Sequence, residues 1–284
     1  MPDPSSIELK PLVGLKIVSL AINLPGPFAA SRLRDLGATV TKVEPPDGDP
    51  LARGCAEWYR ALHENVTVVR LDLKVSAERA RLNPLLADAD LLLTSSRPAA
   101  LERLGLSWAE LHRQFPRLCQ VAIIGHAPPA ENQPGHDLTY QATLGLVELP
   151  DMPRALIADL GGAEEAVSMA ASLLFSRERS GAAGFAQVSL AEAASRFALP
   201  YQHGLTRASG LLGGGWPGYN LYQAMAGWVA VAALEPHFAE RLKVELAVET
   251  FSSEALAAAF KRRSAAEWET WGAEHDLPIV AVRE

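Results

Sequence analysis

Leu15-Lys16-Ile17-Val18-Ser19-Leu20-Ala21-Ile22 is a short apolar run rich in β-branched residues. Pro25-Gly26-Pro27 interrupts it before a helical pattern that runs through Leu36 and stops at Gly37. This is the signature of a strand, a turn and a helix. Thr39 to Val43, Val66 to Leu73, Asp90 to Leu93 and Leu118 to Ile124 read as further strands, separated by helical stretches such as Ala77 to Leu86 and Ser107 to Gln114. A long helical pattern from Ala163 to Arg179 ends at Ser180-Gly181, and Ala186 to Leu190 is one more strand, leading into a helix from Ala191. Such alternation predicts an α/β fold with a mostly parallel sheet covered by helices, closing near residue 200.

Beyond it, Gly210-Leu211-Leu212-Gly213-Gly214-Gly215 is too permissive a backbone for a helix or strand interior and reads as a mobile loop. The expected organisation is a large domain over residues 1–200, a glycine-rich linker over 201–218 and a small α/β domain over 219–284. In the last piece, Tyr219 to Ala224 and Trp228 to Leu234 flank Met225-Ala226-Gly227 as a hairpin. Helices around 236–246, 253–262 and 265–273 and a strand at 278–282 follow.

The 284 residues carry a net charge of −7, with Lys and Arg scattered instead of gathered into a stripe. That removes the electrostatic footprint of a nucleic-acid binder. Cys55 and Cys119 offer neither a disulfide framework nor a zinc site, and Cys119 reads as a core residue in an apolar strand. Met1 to Lys10 lacks the pattern of a leader, and no apolar run approaches the roughly 20 residues that span a bilayer. The expectation is a cytoplasmic protein with no membrane partner.

The first strand-to-helix turn holds one glycine and no G-x-G-x-x-G, so the pyrophosphate cradle of a dinucleotide dehydrogenase is missing. There is no Walker A sequence, G-x-S-x-G elbow or H-E-x-x-H either. What remains are acid and base groups where loops meet helices. Gly135-His136-Asp137-Leu138 precedes a helical pattern with Asp137 as N-cap, and Ala158-Asp159-Leu160-Gly161-Gly162 lies before the long helix. A carboxylate at a helix N-terminus is stabilised by the dipole, and an imidazole there suits proton abstraction. Each also has a plainer reading: Asp159 as a cap, His136 as an ordinary histidine, and Glu235, just before Pro236, as a helix start.

Taken together, other residues carry a resemblance. Leu12 to Leu20, Gly26-Pro27, Asp35-Leu36-Gly37-Ala38 and Lys42-Val43-Glu44-Pro45-Pro46 look like the opening of the family III CoA-transferases, the group of carnitine and bile-acid CoA-transferases. It continues through Leu71-Asp72-Leu73-Lys74, Ala89-Asp90, Arg97-Pro98, Glu102 to Leu106, Pro116 to Leu118, Gly135-His136-Asp137, Ala158-Asp159, Ala233 to Pro236 and Trp268.

The resemblance implies a Rossmann-like CoA-binding domain, a smaller α/β domain and an interlocked homodimer. It implies no metal or redox cofactor, coenzyme A arriving as part of an acyl-CoA substrate. In the transferases the aspartate matching Asp159 attacks the thioester, giving an anhydride and then an enzyme-bound CoA thioester. The α-methylacyl-CoA racemases instead pair it, as a base, with a histidine matching His136 that is assisted by a glutamate matching Glu235. A histidine in Gly-His-Asp is more typical of the racemases. By the same resemblance Thr94, Ser95, Ser96, Arg97 and Arg103 would line the CoA groove, and Gly213, Gly214 and Gly215 would match a loop covering the thioester.

Three features depart from the family. Ala61 to Thr67 replaces a basic element that contacts CoA, which predicts weaker attraction for phosphate. The stretch between His136 and Asp159 is shorter than in the racemases, and typical members continue beyond the position of Glu284. Alongside racemase and transferase, a non-catalytic CoA-thioester-binding homologue is the third expectation.

Overall fold

The computed structural model describes residues 9–283; the stretch before Leu9, on which most of the expectation about a leader falls, lies outside them. The chain divides into two compact units, Met1–Phe197 and Ala198–Glu284.

In the first unit the elements run β1 Lys16–Ser19, α1 Pro25–Asp35, β2 Thr39–Glu44, α2 Pro50–Gly54, α3 Ala56–Leu62, β3 Thr67–Arg70, α4 Ser76–Ala80, α5 Asn83–Ala87 and β4 Leu91–Thr94. They continue through α6 Pro98–Arg103, α7 Trp108–Gln114, β5 Cys119–Ile124, α8 Asp137–Thr143, α9 Ile157–Ser180 and β6 Phe185–Ser189. Helix α10, Leu190–Gln202, runs across the division between the units.

The six strands form one parallel sheet in the order β3-β2-β1-β4-β5-β6. This is the doubly wound Rossmann order, its direction reversing between β1 and β4. The central strands β4 and β5 are buried along their whole length, as coverage on both faces requires. Ile17, Val40, Leu91, Leu93 and Val121 point into a core with α1 and α9, whereas Val18, Val43 and Leu92 point into a second core with Leu82, Leu86, Leu101 and Leu111. Each fully buried leucine of β4 contributes roughly 1.5–3 kcal/mol. Helix α9 meets the sheet through Ala163, Ala166 and Ala170 at helical spacing, small enough to let it lie close.

Two helix boundaries correct the sequence reading. Ala77 to Leu86 is not one helix but α4 and α5, because Pro84 is tolerated in the first turn of a helix and not in its interior. Helix α9 starts at Ile157 instead of Ala163. Gly161 and Gly162 lie inside it because a Cβ there would come within 2.4 Å of Phe197 Cε2 and of Leu190 Cδ2 respectively.

The second unit contains β7 Tyr219–Gln223, β8 Trp228–Ala232, α11 Pro236–Glu245, α12 Ser253–Phe260, α13 Ala265–Glu274 and β9 Ile279–Ala281. Its three strands are antiparallel in the order β7-β8-β9 and pack on Phe260, Trp268 and Trp271. The buried indole of Trp268 donates to the Phe260 carbonyl at 2.7 Å, which leaves no orphan donor in this core position. No helix among the described residues is long and apolar enough to cross a membrane.

The glycine run is not the open loop its composition suggests. Leu211–Gly215 folds into a compact turn with non-helical backbone at Gly213 and a left-handed Gly214 (φ 86°), and Gly210 N–H donates to the Arg207 carbonyl at 2.7 Å. A Cβ on Gly213 would stand 1.9 Å from the Arg207 carbonyl oxygen, so the glycine serves close backbone approach. Gly213→Ala is therefore expected to destabilise the second unit by about 2 kcal/mol or more, read by urea unfolding of the full chain against wild type.

Candidate active site

In open parallel sheets of this order, ligands bind outside the carboxyl ends of the strands where the order reverses. Here that point lies between the loops after β1 and β4. The loop after β1 turns through Asn23, whose φ of 66° is a left-handed conformation that asparagine tolerates. Ile22 N–H donates to Ser95 Oγ at 2.9 Å, tying the two loops together.

A cavity of about 220 Å³ opens at this crossing, and Asn23, Ser95, Arg97, His136, Tyr140 and Asp159 are among its lining. Sequence reasoning named four of these; Asn23 and Tyr140 it missed. A signal for Tyr140 existed, since it lies one helical turn beyond His136 and Asp137 in the α8 pattern.

Asp137 holds the two acid-base segments together. His136, not Asp137, is the N-cap of α8, which corrects the sequence assignment. The Asp137 side chain reaches another helix instead: its Oδ2 accepts from Ala158 N–H at 2.8 Å and from Asp159 N–H at 3.0 Å, in the first turn of α9. Its Oδ1 accepts from Gln141 Nε2, whose amide also donates to the Ala155 carbonyl at 2.8 Å. Asp137 is buried, and it satisfies two of the N–H groups that every helix start leaves without an internal partner.

Asp159 lies in the first turn of α9, inside the helix and not ahead of it. Its own side chain is largely withdrawn from solvent, and burial pushes its pKa up from 3.8 to about 6, with the Asp137 charge adding to the rise and His136 opposing it. The helix dipole, which would favour the carboxylate, does not prevail.

A second cavity of about 520 Å³ adjoins the carboxyl ends of β1 to β4. Its floor is apolar, with Leu20, Val43, Leu71 and Leu101, and it also presents Ser96, Lys74, Arg79 and Arg103. Lys74 and Arg79 were not assigned from sequence, although Leu71 to Lys74 follows β3 at the sheet edge where ligands bind. Thr94 lines neither cavity; it is fully buried in β4 and its Oγ1 has no partner among the described residues.

The altered segment Ala61 to Thr67 contributes to a buried polar cluster. Lys42 Nζ, fully buried, donates to Asp49 Oδ2 and to His63 Nε2, the latter at 2.9 Å, and lies 3.4 Å from Glu44 Oε1. Burial lowers the pKa of His63, whose Nδ1–H donates to the Tyr59 carbonyl at 2.6 Å, so a neutral ring can accept from the lysine. Asp49 Oδ1 in turn accepts from Asn23 N–H at 3.1 Å, fixing the loop after β1.

Glu235 and Gly213 to Gly215 belong to the second unit. Glu235 is exposed and is the N-cap of α11 ahead of Pro236, the position its plainer reading predicted. All lining residues of the two cavities come from the first unit.

A doubly wound parallel sheet with a buried carboxylate and a histidine at its switch point defines the class of α/β protein to which the resemblance pointed. The sequence pattern of CoA-transferase family III matches residues 12–284, and the chain belongs to that family. It is 32% identical over 189 residues to the succinyl-CoA–D-citramalate CoA-transferase of Chloroflexus aurantiacus, covering 61% of this chain and 47% of that protein. It is also 32% identical over 253 residues to the human alpha-methylacyl-CoA racemase, covering 81% of this chain and 63% of that protein. The chain thus spans about half to two thirds of the length of these relatives. Among solved structures, the hypothetical protein Rv3272 of Mycobacterium tuberculosis superimposes with a TM-score of 0.84 at 23% identity, over 97% of this chain and 85% of that one.

Two outcomes follow from the geometry. Asp137→Ala leaves two helix N–H groups without their acceptor and is expected to cost about 2–4 kcal/mol in urea unfolding at pH 7. Asp159 binds its proton more tightly folded than unfolded, so its contribution to stability falls as pH rises from about 4 through about 6. Asp159→Asn is accordingly expected to be the more stable protein at pH 8, by up to about 3 kcal/mol, with the difference shrinking toward zero near pH 4. Thermal midpoints across that range measure it.

Proposed function

We propose that the chain acts on acyl-CoA thioesters through Asp159, and that its reaction is epimerisation at the α-carbon of a 2-methylacyl-CoA. The observation that carries this reading is the sharing of one cavity by Asp159 and His136, with the Asp159 pKa raised to about 6. A carboxylate that titrates close to working pH is a better base than an ordinary aspartate and is still largely ionised at neutral pH. In the reaction one of the two takes the α-proton, the C–H electron pair is drawn into the thioester to form an enolate, and the other returns a proton from the opposite side. Glu235 would assist His136.

The neighbouring cavity suits coenzyme A: an apolar floor for the adenine, with Lys74, Arg79 and Arg103 for its phosphates. None of these three cations makes an ion pair with another described residue, so each is free to meet an anion. Assembly as a homodimer, with Gly213 to Gly215 over the thioester, belongs to the same proposal.

A second reading is CoA transfer, favoured by the similarity to the succinyl-CoA–D-citramalate CoA-transferase. There Asp159 attacks the thioester carbonyl, CoA thiolate leaves to give an aspartyl anhydride, and thiolate re-attack yields an aspartyl-CoA thioester while the acyl group departs as a carboxylate.

The deciding experiment incubates the protein with a chiral 2-methylacyl-CoA in deuterated water and follows the α-proton by NMR. Exchange that Asp159→Asn lowers by about 10²-fold or more supports epimerisation, with the rate falling as pH drops below about 6. No exchange, but a CoA adduct on Asp159 by mass spectrometry, replaces it with the transferase. Neither signal leaves a non-catalytic binding homologue.

A further inference from the structure

Tyr140 is 2% exposed, yet its phenol oxygen has no hydrogen-bond partner among the described residues. Buried tyrosine hydroxyls ordinarily find one, because an orphaned donor costs stability. The residue nevertheless lines the same cavity as Asp159 and His136. Its ring is held from one side by His126, edge to face at 5.1 Å between centroids. Gly125 and Gly135 bring their backbones up to the ring and hydroxyl: a Cβ on either would approach the oxygen to 2.6 or 2.5 Å, so no side chain fits there. A fixed ring and a hydroxyl without a partner, on a residue that lines the site, together describe a donor for an acceptor brought by a ligand.

We propose that Tyr140 is a further catalytic residue, whose hydroxyl donates a hydrogen bond to the thioester oxygen of the bound acyl-CoA as negative charge develops there. The assignment rests on the acyl-CoA reading above. It holds for both reactions considered. When a base removes the α-proton, the C–H pair becomes the enolate double bond and the carbonyl π pair moves onto the oxygen. When Asp159 attacks, the same pair moves onto the same oxygen of a tetrahedral adduct. In neither case does Tyr140 give up its proton; it remains a donor throughout, and the pair returns to the carbonyl as the step completes. Burial, with Asp159 and Asp137 nearby, raises its pKa, so the phenol stays protonated across the range in which Asp159 works. A donor already fixed in place needs no reorganisation when the charge appears.

Tyr140→Phe removes only the oxygen, and the two roles move its readouts in opposite directions. A hydroxyl reserved for substrate predicts a thermal midpoint equal to or above wild type, little change in KM for the acyl-CoA, and kcat lowered by about 10²-fold in whichever assay, α-proton exchange or adduct formation, the wild type passes. A rate within about twofold of wild type would overturn the proposal, as would a lowered midpoint with a proportionate loss of active protein. If the wild type is inert in both assays, the acyl-CoA chemistry falls first. Tyr140 is then judged by thermal stabilisation with a ketone analogue of acetyl-CoA in which a methylene replaces the sulfur. Equal stabilisation of both proteins overturns the contact; a smaller effect in the phenylalanine variant retains it.

Discussion

One buried carboxylate sets the spacing on which the site depends. Asp137 follows His136 directly in sequence, and through Oδ2 it grips the backbone of Ala158 and Asp159. The short helix that begins at His136 and the 24-residue helix α9 are thereby joined start to start. The sheet alone would not do this, because β5 and β6 lie at the outer ends of the two segments, and no strand lies between α8 and α9. Hydrogen bonds to an ionised acceptor are shorter and stronger than neutral ones, and two from one oxygen define a position instead of merely limiting it. Gln141, held by Asp137 Oδ1 and by the Ala155 carbonyl, braces the same joint from the far side.

The other wall of the cavity is fixed by different means. Asn23 adopts a left-handed turn, and its N–H is held by Asp49, which is in turn held by the buried ammonium of Lys42. A buried ammonium is stable only when its partners are complete. Here Asp49 and Glu44 supply the charge and His63 supplies a neutral acceptor. Through His63, the segment Ala61 to Thr67 therefore helps to support the loop after β1.

The parallel character of the sheet was legible because strands alternate with helices along the chain, and β4 and β5, apolar but for Thr94 and Gln120, are buried throughout. His136 and Asp159 were legible as residues, through the resemblance and through their places at helix starts. Their surroundings were not. Gly161-Gly162 resembles a turn in sequence, yet both lie inside α9, where Phe197 and Leu190, far away in sequence, leave no room for a Cβ. Asp137 looked like the cap of its own helix because capping is a local rule, whereas its real partners are 21 and 22 positions away. Tyr140 escaped notice for a similar reason: an aromatic residue one turn into a helix reads as core, and it is the missing partner of its hydroxyl, a fact of three dimensions, that marks it.

The state of Asp159 turns on a competition whose terms can be compared. A carboxylate in the first turn of a helix gains about 0.3–1 kcal/mol from the aligned peptide dipoles, enough to lower its pKa by less than one unit. The direction is nevertheless upward, from 3.8 to about 6, so burial, with the adjacent Asp137 charge adding to it, outweighs the dipole. The same Asp137 that positions the backbone of Asp159 thus also makes its side chain harder to ionise. Positioning comes from Asp137, whereas basicity comes first from burial and only then from the Asp137 charge.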